Sequence, residues 1–172
     1  MTTATKVRSI NANPNGLIKP ADLLTLSQDD AEKMIRTAYA GTRVWKDRSR
    51  KGDMRIGAAL VSMRVSYGLP RSTIASLTGV SMTTITRLEL GVRMFSAHSL
   101  SRLVTGLRNG IHMLFPGRKH EFDRWIIDFM YLVSEVEEEF RLKNVEERVS
   151  RFGKNQEDMV RELGLDDRER TL

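Results

Sequence analysis

The sequence predicts an all-α fold: a compact helical unit with a helical arm before it and a helical extension after it. Three observations carry this. Apolar residues recur at spacings of three and four along most of the chain, serines and a proline stand where helices would begin, and glycines stand where they would end. With 172 residues and 40% apolar side chains, there is material for one sizeable core.

Residues 1 to 20 are polar, and Asn13-Pro14-Asn15-Gly16 with Pro20 breaks regular structure, so a loose arm is expected. A helix is predicted from about Gln28 to Tyr39. Ser27 is its N-cap, Asp29, Asp30 and Glu32 fill its first turn, and Ala31, Met34, Ile35 and Ala38 share one side. It should stop near Gly41. Between Thr42 and Arg55 the six cations Arg43, Lys46, Arg48, Arg50, Lys51 and Arg55 surround one large aromatic residue and Gly52, the composition of a basic linker.

Four short helices are predicted between Ile56 and Asn109. The first carries Ile56, Ala59, Leu60 and Met63 and ends at Tyr67-Gly68. Pro70 is favoured in the first turn of the second, which runs to Leu77-Thr78. Gly79 then supplies a turn, and Ser81 caps a third helix ending at Leu88 or Glu89. A fourth follows Ser96 with Leu100, Leu103, Val104 and Leu107 inward, ending at Asn109-Gly110. Ile111 to Arg118 is compatible with either a short strand or an extended connection.

The longest periodic element follows, with Phe122, Trp125, Phe129, Leu132, Val136 and Phe140 in one stripe. A helix from about His120 to Lys143 would be roughly 35 Å long. Its stripe needs a cover, either this chain's own domain or a second copy. A further helix is expected from Gln156 to Leu163, where Asn155 and Asp158 resemble a capping box. The domain organisation that results is 1–55 as arm, helix and basic linker, 56–109 as the central unit, and 110–172 as an acidic helical extension.

Charge divides the same way. Residues 1–55 have 11 cations and 6 acids, a balance of +5; Ile56 to Lys119 has 8 cations against Glu89 alone, +7; His120 to Leu172 has 9 against 15, −6. A polyanion partner for the first two segments is the direct implication. No stretch approaches the roughly 18 apolar residues that span a bilayer, and the first residues lack a signal peptide's apolar middle. A membrane partner is therefore not expected. The absence of cysteine excludes disulfides, thiolate metal sites and cysteine nucleophiles, and fits the cytoplasm of a bacterium, or of a host if the gene is a phage's.

Enzyme chemistry finds no support. His98, His112 and His120 have no ligand spacing, no glycine loop would cradle a phosphate, and paired carboxylates occur only in runs such as Glu137 to Glu139. No catalytic residue, metal or cofactor is predicted.

The stretch "GLPRSTIASLTGVSMTTITRLELG", Gly68 to Gly91, is two helices of about eight residues joined by a glycine-containing turn, the helix-turn-helix spacing. Ala75 is small where the helices approach, Ile85 and Leu88 face inward, and the other face is left to Met82, Thr83, Thr86 and Arg87. With "IGAALVSMR" before it and "SLSRLVTGL" after it, the stretch resembles the DNA-binding domain of lambda-repressor and Cro-like regulators, the xenobiotic-response-element type. The resemblance covers about 56–109. Pro70 and Arg71 depart from it, standing where the family has Ser or Thr followed by Gln.

The resemblance implies a sequence-specific regulator of transcription, a repressor, bound to a double-stranded operator as a homodimer. It implies that Met82, Thr83, Thr86 and Arg87 read base edges while Arg71, Ser81 and Thr84 touch phosphates; Arg93 would add a backbone contact. The linker cations would either track the backbone and minor groove or merely be solvated. A second function is an antitoxin-like or adaptor protein that captures a protein partner through 110–172 while the central unit autoregulates. Ala40-Gly41 matches the bond cut in self-cleaving repressors, but no β-rich catalytic domain follows it.

Overall fold

The computed structural model describes residues 17–39 and 52–162. Every regular element in them is helical: α1 Pro20–Leu23, α2 Gln28–Ala38, α3 Met54–Ser66, α4 Arg71–Thr78, α5 Met82–Glu89, α6 Ala97–Leu114, a 3-10 turn Pro116–Arg118, and α7 Lys119–Glu162. No helix among the described residues is long and apolar enough to cross a membrane. The chain forms two compact units, Met1–Val133 and Ser134–Leu172.

In the first unit the helices begin where side-chain oxygens satisfy free backbone N–H groups. Ser27, Ser81 and Ser96 accept from Asp30, Thr84 and Ser99, and Asp53 accepts from Arg55. Pro70 caps α4 without a side-chain bond. The centre is α3, buried continuously from Met54 to Val61, as expected of a helix with apolar and small residues on every side. On it pack α1, α2 and α5, while α4 packs against both α5 and α6. The approach of α4 to α6 needs Gly106, whose missing Cβ would lie 2.4 Å from the Leu77 carbonyl oxygen and 2.5 Å from the Thr78 Cα.

Several boundaries differ from those the sequence predicts. Leu17 and Ile18 are buried, and the Ile18 N–H donates to Ser62 Oγ at 3.1 Å, so the arm is docked by this point. Arg55 is not a linker cation: it lies in the first turn of α3, buried, with Nε and Nη2 on the Asp53 carboxylate at 3.1 and 3.0 Å and Nη1 on the Leu24 carbonyl at 3.3 Å. The segment Ile111 to Leu114 is helical, because Gly110 does not end α6; it sits against the Leu77 side chain. The two predicted C-terminal helices are one, α7, which runs through Gly153 and Asn155.

Of the two covers the sequence leaves open for the apolar stripe of α7, this chain's own domain buries the part from Phe122 to Leu132. Phe122, Trp125, Phe129 and Leu132 are buried within the first unit. Phe122 meets Tyr67 edge-on at 5.7 Å, Phe129 meets Phe95 edge-on at 5.9 Å, and Trp125 stacks between the two phenylalanines. Tyr67 and Phe95, from the ends of α3 and the loop before α6, supply the apolar surface that the central helices alone lack. In the second unit Val136 is buried and Phe140 half-buried.

Candidate nucleic-acid interface

The stretch Arg71 to Glu89 folds as two eight-residue helices, α4 and α5, joined by Gly79-Val80-Ser81. Gly79 has φ +66, a left-handed conformation that costs glycine nothing and a branched residue much. Val80 is buried in the corner. Its N–H donates to Thr78 Oγ1 at 3.2 Å, and Thr78 Oγ1 donates in turn to the Ile74 carbonyl at 2.7 Å. The turn is thus held from inside.

One face of α5 is anchored and the other is free. Ile85, Leu88 and Glu89 are buried, whereas Met82, Thr83 and Arg87 are exposed. The Arg87 guanidinium makes no hydrogen bond or ion pair among the described residues, and Arg93, just beyond α5, is exposed too. Both cations are therefore available to an external anion or acceptor. Ser81 Oγ accepts from the Thr84 N–H at 3.2 Å and pairs with Thr84 Oγ1 at 2.9 Å, so these two residues first of all shape the start of α5.

Arg71 and Thr86, given separate roles by the sequence, are brought together. Arg71 Nη1 donates to Thr86 Oγ1 at 2.9 Å, Thr86 Oγ1 donates to the Met82 carbonyl at 2.9 Å, and the Arg71 guanidinium lies 5.0 Å from the Tyr39 ring centre. The hydroxyl of Thr86 is occupied, which leaves chiefly its methyl for outward contact. Arg71 is half-buried and joins α4 to α5 at the rim of the exposed face.

Sequence reasoning missed what fixes α5 to the rest. Glu89, the last residue of α5, is 1% exposed. It accepts from Arg64 of α3 at 2.7 Å (Nε) and 3.2 Å (Nη2) and from the Tyr39 hydroxyl at the end of α2. Burial, and then the Glu89 charge, push the Tyr39 hydroxyl far above the ordinary tyrosine range, so it stays a donor. The buried carboxylate ties α2, α3 and α5 at one point. Its signal in the sequence was that Glu89 is the lone acid between Ile56 and Lys119.

Arg102 of α6 is a further exposed cation that the sequence did not single out; its Nη1 donates to the Gly79 carbonyl at 3.3 Å, over the turn. Arg43, Lys46, Arg48, Arg50 and Lys51, and the Ala40-Gly41 bond, lie outside the described residues. His98 and His120 are exposed, and His112 pairs with Asp123 at 2.7 Å. Among the described residues no three His, Asp or Glu side chains are grouped to hold a metal. Compared with known proteins, the chain matches no family model, no curated protein and no solved structure.

Proposed function

We propose that the chain is a sequence-specific double-stranded DNA-binding regulator, a repressor by occlusion of its operator, whose central unit has the lambda-repressor type of helix-turn-helix fold. The observation that carries the proposal is the division of α5, with Ile85, Leu88 and Glu89 anchored inward and Met82, Thr83 and Arg87 facing out. With its side chains an α-helix is about 10–12 Å across, which suits the major groove, about 12 Å wide.

The chemistry of that face supports the reading. A guanidinium is the best bidentate donor to guanine O6 and N7, and the methyl groups of Thr83, Thr86 and the Met82 side chain suit the thymine methyl. Arg87 is then the main specifier. Arg93, Arg102 and the +7 balance of Ile56 to Lys119 supply phosphate attraction that is sequence-independent and falls with salt. Arg71 positions Thr86 and reaches the backbone from the rim.

Selection of bound duplexes from a randomised pool, followed by footprinting of the selected site and of DNA flanking the chain's own gene, tests this. A short common motif protected in the major groove is expected. Equal retention of all duplexes would contradict sequence-specific regulation.

A further inference from the structure

In the second unit, beyond the half-buried Phe140, α7 carries a row of exposed apolar residues. Leu142, Val145, Val149 and Phe152 are exposed by 49, 45, 65 and 68%, a large apolar allotment for one face of a solvated helix. Their spacing is three, four, three, the a and d positions of a heptad repeat, a pattern that keeps one seam facing a partner only when two helices supercoil. In the sequence the same spacing continues at Gln156 and Met159.

We propose that this seam pairs with the same seam of a second copy of the chain, parallel and in register, as a short two-stranded coiled coil. The flanking charges choose the partner and the direction. With Leu142 and Val149 at a, the g positions are Arg141 and Arg148 and the e positions Glu139 and Glu146. A parallel pair sets g against the following e of the other copy, so Arg141 meets Glu146 of the second copy with opposite sign, twice by symmetry. An antiparallel pair sets g against g and e against e, which places arginine against arginine and glutamate against glutamate. Arg141 binds Glu138 of its own helix through Nε and Nη2, and its Nη1 remains for a partner.

Acids also set the upper limit. One heptad earlier the a and d positions are Glu135 and Glu138, which would face their own equivalents, so the seam begins at Leu142. The pairing differs from a dimer built on Phe122 to Leu132, whose side chains this chain already covers, and it stands whether or not the chain binds DNA.

The chain has no cysteine, so single cysteines report the geometry directly. Leu142→Cys and Phe152→Cys are made separately in the full chain and oxidised without DNA. Equivalent residues face each other along a parallel in-register seam, close enough for a disulfide, and each variant alone is expected to give a covalent dimer. Cross-linking only when the two variants are mixed would mean an antiparallel pair and overturn the proposal. Sedimentation of the unsubstituted chain should show a concentration-dependent dimer that Val149→Glu weakens at least about tenfold. Arg141→Glu should weaken it as well, and Glu146→Arg added to Arg141→Glu should restore it. Tryptophan fluorescence must show the first unit's unfolding unchanged in these variants. A monomer at every concentration up to the solubility limit would refute the pairing.

Discussion

Replacing Arg64 with Met keeps most of the side-chain stem in α3 and removes the cation that faces Glu89. The carboxylate is 1% exposed and draws two of its hydrogen bonds from that guanidinium, at 2.7 and 3.2 Å. Breaking a buried pair by deleting one partner costs about 3–5 kcal/mol, because the remaining charge is left uncompensated. Small domains have about 5–15 kcal/mol of stability in total, so the loss is a large fraction. For a unit of this size it corresponds to a fall in Tm of roughly 10–20 °C. Urea unfolding followed by tryptophan fluorescence measures it. Arg64→Met with Glu89→Met should be less destabilised than the sum of the single changes, since the orphaned charge is gone. A cost below about 1 kcal/mol for Arg64→Met, the size of an exposed ion pair, would show that Glu89 is not the buried tie between α2, α3 and α5.

Gly106→Ala should destabilise by about 1–3 kcal/mol despite alanine's better helix propensity, because the new Cβ meets the backbone of Leu77 and Thr78 at 2.4–2.5 Å; denaturant midpoints decide, and a stabilised variant would contradict the close approach of α4 to α6. Gly153→Ala should do the reverse, raising α7 stability by up to about 1 kcal/mol, since nothing lies within 4 Å of the added methyl; circular dichroism on heating checks it. Asp30 is held below the ordinary carboxylate range by the Ser27 hydroxyl and then Lys33. Its contribution is therefore fully present above its unfolded pKa, near 4, and lost as pH falls through the lower folded value. Stability curves of Asp30→Asn against pH should be flatter on the acid side, and an unchanged acid limb would contradict this.

What was legible in the sequence was what local chemistry decides. Ser27, Ser81 and Ser96 cap helices through their own hydroxyls, and Gly79 takes a backbone angle its neighbours avoid, so α2, α4, α5 and the start of α6 could be placed from short windows. Tertiary contacts hid the rest. Gly110 looks like a stop but is the place where Leu77 packs on α6. Gly153 and Asn155 look like a break, yet a glycine costs a helix only about 1 kcal/mol, and α7 passes through both. Arg55 looks like one more cation of a basic run until Asp53 is seen to hold it. The exposed face of α5 was readable from its period. The tie through Arg64 and Tyr39 was not, because the three partners are 25 and 50 residues apart.

The proposed reading of DNA by α5 requires Arg87 to enter the major groove and bind a guanine. On the selected site, each guanine is replaced in turn by 7-deazaguanine, which lacks the N7 acceptor, and affinity is measured for the unsubstituted chain and for Arg87→Ala. The prediction is that one position costs the unsubstituted chain about 1–3 kcal/mol, that Arg87→Ala loses a similar amount on the natural site, and that the variant is indifferent to the base change at that position. A loss that persists in Arg87→Ala, or equal losses by that variant on cognate and random duplexes, would contradict the assignment of α5 as the reading helix.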